Sequence, residues 1–195
     1  MRYILLLFFL LGFNSNAQDK AQLGLMFDVT RSTLRLPNGE IYINTGGSGG
    51  ISEGSDATGY DTNFAIGIYA TTPLNYTQNF GLEIFYDQTT SPKYNNLNFS
   101  VLNIVPFIDY DPFEINFYMN IGVGMGIPLN NPQFSNTLTE TKIDFFGKVS
   151  IAYEFEGIAR FEFGGYPGVR EIVEDTFIRS KYYFGVKLPI SCYFD

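Results

Sequence analysis

The chain has 195 residues, 45% hydrophobic and 17% aromatic, with 20 Gly, 20 Phe, 14 Tyr, a single Cys, no Trp and no His. Twelve basic against 20 acidic residues give a net charge of −8 with no basic patch, which excludes a nucleic-acid surface. Without His there can be no His-dependent triad, His-bearing zinc site or haem–His ligation, and the length suits a single domain.

The N-terminus opens with Met1 and Arg2, continues as an apolar stretch from Ile4 to Leu11, and reaches the small residues Ser15-Asn16-Ala17. This predicts a signal peptide over residues 1–17, cleaved after Ala17, because the apolar stretch is about half of the ~20 residues a spanning helix needs. Residues 18–195 are then one exported domain. Cys192, far from the cleavage point and without a second Cys, is neither a lipid anchor nor half of an internal disulfide.

Beyond the leader, period-two alternation recurs and no helix-sized 3.6-residue pattern competes with it. Strands are predicted over roughly 21–30, 62–72, 79–88, 97–109, 113–127, 142–155, 157–166 and 181–194. The fifth is the plainest: Phe113, Ile115, Phe117, Met119, Ile121, Val123, Met125 and Ile127 form one face, and Glu114, Asn116, Tyr118, Asn120, Gly122, Gly124 and Gly126 the other. The register of 97–109 is ambiguous, because Phe99 and Val101 oppose Leu102, Ile104 and Ile108 in parity, and a bulge near Val101 would reconcile them. Pro189 predicts a local break in the last strand. Residues 34–43 read as a small hairpin turned by Pro37-Asn38-Gly39 within a loop, although the hairpin could instead add strands to the wall; Gly46 to Gly50 is flexible low complexity.

The connections alternate in length. Those over about 31–61, 88–96, 128–141 and 167–179 are long; those over 73–78, 110–112 and around Glu156-Gly157 are tight. In an up-and-down meander this yields two unlike rims. The fold class expected is therefore all-β: an eight-stranded antiparallel up-and-down transmembrane β-barrel with long outer loops and short periplasmic turns.

Alternation alone also fits a soluble barrel with an apolar interior, so the opposite face decides. It carries Gly24, Gly67, Gly81, Gly122, Gly124, Gly126 and Gly185, suited to a narrow lumen. It also mixes Glu83, Glu114, Asp144, Glu154 and Glu162 with Lys148, Arg160, Lys181 and Lys187. From these, Glu83, Glu114, Lys148, Arg160, Glu162 and Lys187 are expected to form a paired charge network that plugs the lumen. Aromatic residues near apolar-strand ends, among them Phe80, Phe113, Phe155, Tyr182 and Phe194, match interfacial girdles.

Asn16-Ala17-Gln18, Gly81-Leu82-Glu83-Ile84-Phe85-Tyr86, Val105-Pro106-Phe107, Gly122-Val123-Gly124-Met125-Gly126 and the aromatic last strand resemble the small outer-membrane β-barrel domain family of Gram-negative bacteria, especially its PorT-like members. The resemblance spans nearly all of 18–195 and implies outer-membrane residence; its PorT-like aspect implies an accessory place in a transport or secretion assembly. Many such barrels end on an aromatic residue, whereas here Phe194 is followed by Asp195.

No catalytic, cofactor-binding or metal site is expected. Gly122 to Gly126 lacks the helix of a nucleotide loop, and Gly147-Lys148 lacks the upstream Gly of a phosphate loop, position 142 being Lys. Glu154 with Glu156, and Asp109 with Asp111, read as solvated turn residues; Glu171, Glu174 and Asp175 read as a solvated acidic loop. Ser150 and Lys148 read as interior hydrogen bonding, not as a Ser–Lys pair. The function expected is that of a non-enzymatic integral outer-membrane barrel acting through its outer loops. Its partners would be outer-membrane lipid and a surface or secretion protein, with no nucleic acid. The alternatives are the secretion accessory and a soluble exported barrel that binds an apolar ligand.

Overall fold

The computed structural model describes residues 21–35, 61–90, 98–131, 133–134, 137–138, 141–173 and 177–190. Eight long strands build it: β1 (Gln22–Arg35), β2 (Asp61–Pro73), β3 (Gln78–Thr90), β4 (Asn98–Tyr110), β5 (Phe117–Pro128), β6 (Asp144–Phe155), β7 (Ala159–Tyr166) and β8 (Phe177–Pro189). Each pairs antiparallel with the next, and β8 returns to β1 along a register from Gly24 opposite Pro189 to Arg35 opposite Ile178. The ring of eight long strands is closed, so none of the eight is left as a sheet edge.

A tilted strand needs about 9–11 residues to cross a hydrocarbon core. The strands have 12 to 14 except β7, which has 8. Past Tyr166 the ladder continues irregularly, with Gly147 N donating to Pro167 O at 2.9 Å and Val169 N to Phe145 O at 2.8 Å. Two small pairings decorate the same end of the barrel: Glu171–Val173 against the start of β8, and Gln133–Phe134 against Thr137–Leu138.

The alternation of the sequence becomes an alternation of environment. Phe27, Val29, Ile66, Ile68, Ile121, Val123, Val149, Ile151, Phe161, Phe163 and Phe184 stand exposed on the outer wall, whereas the charged and polar side chains of the other parity are buried. A contiguous apolar band around a barrel has water-free surroundings as its physical rationale, since a soluble surface rarely shows patches beyond a few hundred Å². This arrangement is the reverse of a soluble ligand-binding barrel, whose apolar face turns inward, and that alternative is set aside.

Several expectations from the sequence are corrected. β5 begins at Phe117 instead of 113, because Glu114 (φ 55°) and Asn116 (φ 62°) are left-handed and cannot continue a strand. The Asp111 carboxylate organises that turn by accepting the backbone N–H groups of Phe113 (3.2 Å), Ile115 (3.4 Å) and Asn116 (2.8 Å). The bulge near Val101 is absent: β4 pairs with β3 in one unbroken register from Asn98 to Tyr110. Val101, Val105 and Phe107 face inward with Asn103 and Asp109, because the lumen uses apolar bulk opposite its glycines. A Cβ on Gly81 would lie 2.1 Å from the Phe107 ring, and one on Gly124 2.3 Å from the Phe146 ring.

β1 runs on to Arg35 and β8 starts at Phe177, so the first loop begins, and the last ends, further out than their composition suggests. Pro189 ends its strand instead of breaking it, at a position where a missing N–H interrupts no ladder. The remaining tight turns are local. Glu156 (φ 48°), Gly157 (φ 71°) and Ile158 form a three-residue turn between the paired Phe155 and Ala159, with Ile158 N donating to Phe155 O at 2.8 Å, and Asn75 Oδ1 accepts Thr77 N at 3.0 Å. The expected signal peptide, residues 36–43 of the expected hairpin, Gly46 to Gly50, Glu174, Asp175, Cys192, Phe194 and Asp195 lie outside the described residues.

Candidate functional site: the charged lumen

Three layers of charge fill the barrel. At the level of the tight turns, Arg160 on β7 reaches across to β4 and donates Nη1 and Nη2 to the two Asp109 carboxylate oxygens, both at 2.7 Å. Its Nη2 also donates to Asn120 Oδ1 at 3.0 Å, and its guanidinium stacks 4.7 Å from the Tyr118 ring centroid. Planar, bidentate pairing of this kind is what Arg provides and Lys does not.

The central layer is a quartet. Glu83 on β3 accepts from Lys148 on β6 and Lys187 on β8; Glu162 on β7 pairs with Lys148 at 2.8 Å and accepts from Lys187 at 2.5 Å. Tyr166 Oη donates to Glu83 at 3.2 Å, Ser150 Oγ donates to Glu162 at 2.6 Å, and Tyr183 Oη also donates to Glu162. Asn120 Nδ2 donates to Ser150 Oγ at 2.8 Å and so links this layer to Arg160. Lys148 sits 4.2 Å and Lys187 5.1 Å from the Phe107 ring centroid, which gives the ammonium groups an aromatic face besides their carboxylates.

Towards the elaborate rim, Arg179 on β8 donates Nε to Asp144 at 2.7 Å, Nη1 to Asp87 at 3.1 Å and Nη2 to Asn103 at 2.8 Å. Lys181 also donates to Asp87. Stacked Tyr166 and Tyr183 rings, 4.6 Å apart, fill the space between this layer and the quartet. The charged side chains of all three layers are buried nearly to zero exposure. Removing one partner from such a pair leaves an uncompensated charge, so each pair holds its two strands in register.

The residues singled out from sequence are therefore placed as follows. Glu83, Lys148, Arg160, Glu162 and Lys187 are brought together in the lumen. Glu114 is not with them: it is exposed in the 111–116 turn, where its left-handed backbone takes it out of the strand alternation. Asp109 is a correction in the opposite direction, a buried network member and not a solvated turn residue. Arg179, assigned to a long loop, is in the wall. Asp28, Asp87 and Arg179 were not singled out, though each shares strand parity with a residue that was: Gly24, Glu83 and Lys181 respectively.

The Ser150 and Lys148 pair is committed to structural contacts. Ser150 passes its proton towards Glu162 while accepting from Asn120, and Lys148 is committed to two carboxylates. Among the described residues no three acidic or sulfur side chains converge as a metal cage.

No family model matches the chain, and no curated protein sequence is significantly similar to it. Solved structures do match. Neisserial surface protein A superposes with a TM-score of 0.56 at 12% identity, over 87% of this chain and 99% of that one. Ail, the attachment invasion locus protein of Yersinia pestis, superposes with a TM-score of 0.51 at 7% identity, over 88% of this chain and 100% of that one. The same protein in complex with the heparin analogue sucrose octasulfate gives 0.50 at 8% identity, with coverages of 88% and 100%. The fold is that of the small eight-stranded outer-membrane β-barrels. At these identities the likeness speaks for architecture, and function has to come from this chain's own residues.

Proposed function

We propose that this is a non-enzymatic integral outer-membrane protein whose barrel is a sealed post, and whose function resides in the elaborate rim that it presents outside the cell. The observation that carries this reading is the quartet of Glu83, Lys148, Glu162 and Lys187, which crosses the lumen between β3, β6, β7 and β8 with every charge buried. Eight strands leave room for side chains and little else, and here the side chains are tied to one another. A lumen crossed by buried, paired charges leaves the rims as working surfaces. The tight turns at 74–77, 111–116 and 156–158 are short and locally capped, so the partner-facing surface is assigned to the other end.

The finer reading, an accessory of a transport or secretion assembly, rests on the PorT-like motifs around Gly81 to Tyr86 and Gly122 to Gly126. Native purification in mild detergent separates it from a free-standing surface protein: a stoichiometric envelope partner supports the accessory role, and an isolated barrel supports the surface role.

The sealed post is tested by conductance. Protein refolded into a planar bilayer, with insertion verified by protease protection, is expected to give no steady current. Large, stable single-channel currents from the unmodified protein would overturn the sealed-lumen reading.

A further inference from the structure

On β1 the pairing stops. Asp28, on the inward face of this strand, is 3% exposed, and among the described residues neither of its carboxylate oxygens has a hydrogen-bond partner. Its neighbours across the sheet are Ala65 on β2 and Gly185 on β8, which have no polar side chain to offer. A Cβ on Gly185 would stand 2.1 Å from Asp28 Oδ1, so the carboxylate lies directly over that glycine.

From Asp28 towards the elaborate rim the same strand face carries Thr30 and Ser32, with Thr33 following and Asn63 opposite Thr30 on β2. Thr89 lies at the same end of β3. The hydroxyls of Thr30, Ser32, Thr33 and Thr89 and the Asn63 Nδ2 are all buried and, like Asp28, without a hydrogen-bond partner among the described residues. Folded interiors satisfy nearly all such groups, and a row of them running along β1 from its rim end to one bare carboxylate calls for water and a ligand at the carboxylate. The charge inventory agrees. Buried on the described strands are six carboxylates (Asp28, Glu83, Asp87, Asp109, Asp144, Glu162) and five cations (Lys148, Arg160, Arg179, Lys181, Lys187), and Asp28 is the carboxylate without a partner.

We propose that the inward face of β1 forms a dead-end binding site for one small monovalent cation and its water. Asp28, level with Gly185 and Glu162, supplies the counter-charge; the hydroxyl oxygens of Thr30, Ser32 and Thr89 extend from it towards the elaborate rim, and an ion entering from that rim passes Lys181, which stands opposite Ser32, and Arg179, both tied to Asp87. One missing positive charge and a single free carboxylate suit a sodium-sized ion; calcium favours six to eight oxygens with several carboxylates among them. Met26, fully buried one step further along the face, and the Glu83–Lys148–Glu162–Lys187 quartet close the far side, so the ion enters and leaves by the same route. The site adds a ligand to the barrel without making it a channel.

The test uses refolded protein in detergent at one pH and one ionic strength, with sodium chloride compared against the chloride of N-methylglucamine, a cation too bulky to enter. Thermal unfolding is followed by circular dichroism and gel mobility. Sodium is expected to raise the midpoint by a few degrees in the wild type. Asp28→Asn, which keeps the shape and removes the charge, is expected to abolish the sodium effect, and Thr30→Val to require several-fold more sodium for half of it. Equal midpoints in the two salts would overturn the proposal in favour of a proton on Asp28. A sodium effect undiminished in Asp28→Asn would overturn it in favour of surface screening. Should Asp28→Asn fail to fold, an unchanged sodium titration in Thr30→Val would overturn it alone.

Discussion

Arg160 is the side chain whose loss the lumen should tolerate least. It gives Asp109 two hydrogen bonds at 2.7 Å and Asn120 a third at 3.0 Å, with both ions buried. Arg160→Ala is expected to lower the unfolding free energy by about 3–5 kcal/mol, because Asp109 would remain as an unpaired buried carboxylate. Glu114→Gln, in the exposed turn, is expected to change it by less than about 0.5 kcal/mol. Urea titration in detergent measures both, and a large loss for Glu114→Gln would put that residue back in the network. The contrast also marks what was legible in the sequence. Parity placed Glu83, Lys148, Arg160, Glu162 and Lys187 on one face, which in a barrel means one lumen. Parity misplaced Glu114, because alternation carries no information on φ, and a turn held by Asp111 overrides it. The pairing itself was not readable: Arg160 meets Asp109 from 51 residues away, and only the closed wall brings them together.

At the scale of elements, turn chemistry decides where strands begin. The hairpin at Glu156-Gly157 was visible as a turn from its Gly, and its left-handed pair matches the twist of the strands it joins. The 111–116 turn was visible as Asp111-Pro112 but was read too short, since Phe113 and Ile115 extend the apolar period into it. Asp111→Ala removes the acceptor for three backbone N–H groups. It is expected to cost about 1–3 kcal/mol of stability in the urea titration, with Asp111→Asn losing less because it keeps one acceptor oxygen. An Asp111→Ala midpoint equal to wild type would mean that water replaces the carboxylate and that Glu114 and Asn116 hold the turn by themselves. In β4 the sequence left the register open because Val101, Val105 and Phe107 put apolar side chains on the lumen parity, where Phe107 covers Gly81 and Gly122, Val105 covers Gly124 and Val101 covers Gly126. Small residues on one strand and large ones on its neighbour belong together, a signal that spans strands and that no single-strand pattern contains.

For the molecule as a whole, long and short connections alternate because up-and-down strands send odd and even connections to opposite ends. With the tight turns facing the periplasm, an epitope tag inserted at Gly47 is expected to be labelled on intact cells, and one at Asp111 only after the outer membrane is broken. The opposite labelling pattern would invert the orientation and remove the surface role with it. The account as a whole rests on an inside-out barrel: apolar side chains facing lipid, paired charges facing each other. The absence of Trp from the chain gives this claim a direct probe. A single Trp can replace Val123, 68% exposed on the outer wall, or Phe107, 2% exposed in the lumen, and each variant can be refolded into vesicles whose acyl chains carry bromine. Strong quenching of the Trp at 123 with little at 107 is the predicted result; quenching of the Trp at 123 by aqueous acrylamide instead of brominated lipid would contradict it.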